Sequence, residues 1–137
     1  MLRLILITLI IFINACDKQP SAKPQFKSIS PGMAQNLILQ QIGNDNFIIL
    51  DVRTKEEFDS GHLTNAVHID YNKDKPLLKT LKKDHTYLVY CHSGRRSQLA
   101  IDYMKNNGFL SLFNISGGIQ SWKNTFDSLH PSPLNEH

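Results

Sequence analysis

The sequence predicts an α/β domain: a five-stranded, mainly parallel sheet flanked by helices on both faces. Three observations carry that prediction. Apolar β-rich runs alternate with stretches of helical period over about 100 residues, the pattern of strands linked by helical crossovers. The runs at 47–50 and 86–90 are apolar without alternation, as expected of central strands covered on both faces. Capping and turn residues fall between the two kinds of segment, where helices must start and stop.

Each element has its own signal. A short strand at 27–29 leads into Ser30-Pro31, an N-cap followed by Pro in the first turn, and Ala34, Leu37, Ile38 and Ile42 form an apolar stripe that ends at Gly43. The strand at 47–50 is followed by Thr54-Lys55-Glu56-Glu57, a capping box for a short helix ending near Gly61. A third strand is expected at 66–69. Leu77, Leu78 and Leu81 then share one face of a helix at 76–83, and 86–90 is the fourth strand. From Ser97 the period turns helical again, with Leu99, Ala100, Tyr103 and Met104 on one side and Gly108 as C-terminal cap. The fifth strand is 111–115. Gly117-Gly118 turns the chain into a last helix whose core side carries Ile119, Trp122 and Phe126.

Composition sets outer bounds. With 137 residues, 41% hydrophobic and 20% charged, the chain is one ordinary domain rather than several, and neither disordered nor fibrous. The net charge of +3 comes from scattered lysines, with Lys82-Lys83 and Arg95-Arg96 the adjacent basic pairs, so no nucleic-acid partner is expected. None of the six His shows spacing suited to a metal, and no cofactor is expected.

The first residues differ in kind from the rest. Arg3 carries the single charge before Asp17, and 4–13 is apolar apart from Thr8, a signal-peptide core far short of the roughly 20 residues a spanning helix needs. Ile13-Asn14-Ala15-Cys16 resembles the lipobox of bacterial lipoproteins, which implies a signal peptide over 1–15, cleavage before Cys16 and lipidation of that thiol. Asp17 resembles the signal that retains lipoproteins at the inner membrane. An ordinary cleaved signal is the other reading. The expectation is an exported, periplasm-facing, membrane-anchored monomer with a polar tether at 16–25, a domain at 26–127 and a flexible, Pro-containing tail at 128–137.

Of two Cys, the lipid would consume Cys16 and leave Cys91 without a disulfide partner. A lone thiol in an oxidising compartment invites a chemical role. Cys91 stands where the buried strand 86–90 stops, just before His92-Ser93-Gly94-Arg95-Arg96 and the helix that starts at Ser97. In parallel sheets, sites gather at the carboxyl ends of strands. The loop N–H groups, the helix N-terminus and two arginines all favour thiolate over thiol, and should lower the Cys91 pKa below the free value of about 8.5. Gly94 lets the loop curl tightly. At the neighbouring strand end, Asp51 either holds this loop, by accepting its N–H groups or pairing with an arginine, or merely forms a turn. Arg53 is expected to pair with Glu56 or Glu57, His62 to bond backbone, and Trp122 to be core.

These segments together resemble the rhodanese family of sulfurtransferases over nearly all of 27–126: DVRTKEEFDSGHL at 51–63, NAVHI at 65–69, YCHSGRRS at 90–97 and SGGIQSW at 116–122. The family's C-x-x-G-x-R loop falls on Cys91, Gly94 and Arg96. The resemblance implies that Cys91 accepts a sulfane sulfur as a persulfide and passes it to a thiol or cyanide-like acceptor. It also implies that His92, Ser93, Gly94, Arg95 and Arg96 form the substrate loop, with Asp51 and Ser97 in support. Related phosphatases place five residues between Cys and Arg; here there are four, and Ser97 occupies the phosphatase Arg position. One departure is His92, because many single-domain members carry Arg directly after the Cys, and a mostly neutral imidazole weakens the hold on an anionic donor. Two alternatives remain: a carrier or interaction module that presents a persulfide without turnover, and a Cys-dependent phosphatase or arsenate reductase.

Overall fold

The computed structural model describes residues 23–126 and 134–135. The expected signal peptide and lipidation site at Cys16 therefore lie outside the described residues. Seven strands occur among them: β1 (Gln25–Ile29), β2 (Phe47–Asp51), β3 (His62–Leu63), β4 (Val67–His68), β5 (Thr86–Tyr90), β6 (Ser111–Ile115) and β7 (Leu134–Asn135). The α-helices are α1 (Pro31–Gln40), α2 (Lys55–Asp59), α3 (Arg95–Asn106) and α4 (Gly118–Phe126), with a 3₁₀ helix at Lys75–Thr80. Five strands form one sheet in the order β1-β6-β5-β2-β4, every neighbouring pair parallel.

The central strand β5 shows how sequence sorts the core. Its side chains alternate between faces. Tyr87 and Val89 pack with Ala100, Ile101 and Met104 of α3 on one side, whereas Leu88 and Tyr90 pack with Ala34, Ile119 and Trp122 of α1 and α4 on the other. Tyr87, Leu88, Val89 and Tyr90 are all buried, which accounts for a strand sequence without polar alternation. Cys91 continues the register of Tyr87 and Val89 into the α3-side core.

Helix starts follow their caps. Ser30 Oγ accepts the Met33 N–H ahead of α1, and Thr54 and Glu57 bond each other's backbone N–H groups to close the capping box of α2. Several boundaries depart from expectation. The helix after Cys91 begins at Arg95 rather than Ser97, because Gly94, at φ +93°, turns the chain straight into it. The 76–83 segment is a 3₁₀ helix ending at Thr80, since Leu81 has extended backbone (ψ 157°). β1 takes in Gln25, and Leu134–Asn135, within the segment expected as a loose tail, pairs antiparallel with β3.

Leu88 is fully buried at the centre of the sheet. Leu88→Ala is expected to destabilise the domain by roughly 2–5 kcal/mol through lost burial and a residual cavity, read as a lower guanidinium midpoint at unchanged m-value.

Candidate active site

The parallel topology brings the carboxyl ends of β2, β5 and β6 to one edge, and the reactive side chains gather there. Cys91, only 1% exposed, heads the loop between β5 and α3. The Gly94 N–H points at its Sγ at 3.1 Å, and Ser97 Oγ, in the first turn of α3, lies 3.4 Å from the same sulfur. Burial pushes the Cys91 thiol up, but the Ser97 hydroxyl and the N–H groups of Ser97, Ser93 and Gly94 outweigh it, so the pKa settles below the ordinary thiol value.

Aiming several N–H groups at one sulfur requires the loop carbonyls to face elsewhere. They face α4: Ile119 N–H donates to Cys91 O at 2.8 Å and Gln120 N–H to His92 O at 3.1 Å. The first N–H groups of a helix lack intrahelical partners, so α4 supplies donors that cost it nothing. The approach leaves no space for a side chain. Gly118 has φ +61°, and a Cβ there would collide with the Cys91 and His92 carbonyl oxygens. Gly94 sits opposite, where a Cβ would stand 3.2 Å from Gly117 N.

Asp51 and Arg53 form a second, wholly buried unit. Arg53 Nη2 donates to Asp51 Oδ2 at 2.7 Å and to Gly61 O at 2.7 Å, and its backbone N–H donates to Asp51 Oδ1 at 2.9 Å. Arg53 therefore pairs with Asp51, not with Glu56 or Glu57 as expected, because a carboxylate buried at the end of β2 needs a cation there. Asp51 thus accepts from Arg53, two residues on and outside the Cys91 loop, as a strand-end turn former does, and none of these bonds reaches the loop. Burial and then the Asp51 carboxylate push the Tyr90 phenol up.

Arg96 projects from the first turn of α3 and is held at both terminal nitrogens by Glu57, at 2.6 and 2.8 Å. The Arg96 guanidinium holds the Glu57 carboxyl down at about 2. Arg96 also feels the Cys91 sulfur, which helps keep it charged. Arg95, His92 and Ser93 are exposed. His62 Nδ1 lies 2.9 Å from Phe58 O, the expected backbone contact, and Trp122 is buried core.

Three contributions to the site were not read from sequence. Glu57 was read as a helix cap and as an expected partner of Arg53, whereas the arginine it clamps is Arg96. Asn114, a polar residue in the buried part of β6, lies 2.7 Å from Ser97 Oγ through its Oδ1 and donates to Gly94 O at 3.3 Å, tying the loop to the sheet. Its polarity inside an apolar strand was the available signal. The carbonyl-catching role of Ile119 and Gln120 belongs to backbone and leaves no mark in side-chain chemistry.

A buried, donor-wrapped thiol at a strand end is the arrangement of a sulfur nucleophile, and the family model for the rhodanese-like domain matches residues 34–125. The chain belongs to the rhodanese-like domain family. Among curated rhodanese relatives, thiosulfate sulfurtransferase GlpE of Pseudomonas entomophila (strain L48) is 32% identical over 102 residues, covering 74% of this chain and 89% of that protein. The putative sulfur carrier protein YrkF of Bacillus subtilis (strain 168) is 32% identical over 93 residues, covering 67% of this chain and 50% of that protein. Among solved structures, a rhodanese-related protein from Thermoplasma volcanium superposes with a TM-score of 0.64 at 26% identity, covering 81% of this chain and 99% of that one. A rhodanese-like domain protein from Staphylococcus aureus gives 0.64 at 28%, covering 81% and 98%.

Gly118→Ala is expected to displace the Cys91–Gly94 loop and remove N–H donors from the sulfur. The pH midpoint of Cys91 alkylation, below a free thiol's in the parent protein, should rise toward or beyond about 8.5 in the variant.

Proposed function

We propose that this rhodanese-like domain is a sulfurtransferase that carries sulfane sulfur on Cys91. The thiolate attacks the outer sulfur of thiosulfate or a similar donor. The donor's S–S bond breaks as the new one forms, and its electron pair leaves with sulfite. A thiol or cyanide-like acceptor then attacks the outer sulfur of the persulfide, and the Cys91 thiolate departs. Neither step consumes an oxidant or a cofactor.

The observation that carries this reading is the N–H cradle itself. Donors from Gly94, Ser93 and Ser97 converge on the sulfur, so they favour a thiolate before reaction and an anionic persulfide after it. Phosphatase chemistry fits less well. Only four residues separate Cys91 from Arg96, and that guanidinium is spent on a bidentate bond to Glu57 rather than free to grip phosphate oxygens. The relative named as a putative sulfur carrier favours a second reading, in which Cys91 receives sulfur from a protein and turns over no free donor.

Cys91→Ser should leave the fold intact, since oxygen for sulfur changes little volume, and should abolish thiocyanate formation from thiosulfate and cyanide. The parent protein should hydrolyse no p-nitrophenyl phosphate. Turnover surviving in a folded Cys91→Ser protein would refute the covalent route, and thiosulfate-independent phosphatase activity would redirect the assignment.

For location we propose anchoring through a lipid on Cys16, supported by the lipobox-like 13–16 and the polar 17–25 that follows. Among the described residues no helix is long and apolar enough to cross a membrane. Cys16→Ala should move the protein from the membrane to the soluble fraction of cells, whereas a parent protein already wholly soluble would sink the proposal.

A further inference from the structure

Beside the Cys91 loop opens a cleft of about 380 Å³, bounded by Arg53, Glu57, His92, Gln120 and Lys123. Its charges can be followed one by one. Arg53 is neutralised by the buried Asp51 carboxylate. Glu57 is neutralised by Arg96, which does not line the cleft, and exposed Arg95 does not line it either. Lys123 is left, half-buried and in no ion pair among the described residues. It lies on α4 three and four residues after Gln120 and Ile119, whose N–H groups hold the loop carbonyls of His92 and Cys91. Residues so spaced share a helix face, so Lys123 stands one turn beyond the contact that fixes the loop.

From this charge pattern we infer that Lys123 is the specificity-determining cation of the site: it recognises the anionic end of the molecule that brings sulfur to Cys91 or takes it away. The inference rests on the sulfurtransferase reading for the identity of that molecule, though not for the recognition of anions. A compact ammonium on a flexible stem suits this task, because it follows an anionic group over several positions without demanding a planar, bidentate partner. The two arginines that sequence marks for the role are otherwise placed, one clamped by Glu57 and one outside the cleft.

The test compares two alkylating probes of the same thiol, iodoacetate (anionic) and iodoacetamide (neutral), on the full chain and on Lys123→Gln, Lys123→Glu and Lys123→Arg. The iodoacetate-to-iodoacetamide rate ratio at Cys91 should fall roughly ten-fold in Lys123→Gln, about 1.4 kcal/mol of differential attraction. It should fall further in Lys123→Glu and recover in Lys123→Arg, with the iodoacetamide rate alone nearly constant across the series. In steady-state assays the KM for thiosulfate should follow the same order. An unchanged ratio in both Gln and Glu variants would overturn the inference. So would an equal loss with both probes, since that reports a disturbed loop rather than a lost charge. A ratio that falls as expected in a protein that turns over no sulfane donor would uphold Lys123 as the anion-recognising residue and defeat the sulfurtransferase reading instead.

Discussion

The two hydrogen bonds from the start of α4 to the carbonyls of Cys91 and His92 are the constraint on which the site depends. A short loop between a strand and a helix has as many carbonyls as N–H groups, and left alone it would present both to its interior. Here the carbonyls are drawn to Ile119 and Gln120, so N–H groups remain for the sulfur. Two glycines permit the approach: Gly118, whose missing side chain admits the carbonyls, and Gly94, whose positive φ turns the loop into α3 within three residues of the cysteine. The electrostatics of Cys91 follows from that geometry. Burial works against the thiolate, and the collected donors reverse its effect.

Around this centre the other polar residues act as frame. Asp51 and Arg53 satisfy each other at the end of β2, and Arg53 also caps the Gly61 carbonyl, so the segment between α2 and β3 is tied to the sheet beside the reactive loop. Glu57 serves two elements at once: through the capping box it starts α2, and through Arg96 it joins α2 to α3. Asn114 and Ser97 link β6 to α3 directly beneath the sulfur. The Glu57–Arg96 and Ser97–Asn114 pairs cross between secondary-structure elements and anchor the start of α3, into which the loop runs.

Much of this was legible in the sequence. The uninterrupted apolar runs of β2 and β5, the Ser30-Pro31 and Thr54–Glu57 caps, and the position of Cys91 after β5 all reflect local physics that a chain carries on its face. The five parallel strands lie close to where periodicity puts them. The two-residue strands β3 and β7 were not readable, because two residues hold no periodicity and their pairing joins segments about 70 positions apart by partner rather than by pattern. The start of α3 was placed late because the helical period becomes visible only from Ser97, while the positive φ of Gly94 had already begun the helix two residues earlier. The Arg53 and Arg96 partners were beyond reach for another reason. Sequence shows how many opposite charges are near in number, but only the fold shows that Asp51 is buried and that Glu57 and Arg96, 39 residues apart, face one another.

The central claim is that the cradle exists to hold a second sulfur on Cys91. Thiosulfate labelled only in its outer sulfur, incubated with the purified protein and followed by peptide mass spectrometry, tests it most directly. The account predicts one labelled sulfur per chain, confined to the peptide containing Cys91, matched by one equivalent of unlabelled sulfite and removed completely by cyanide as labelled thiocyanate. Label that stays in solution while the Cys91 thiol remains free and folded, or label bound with no sulfite released, would contradict it.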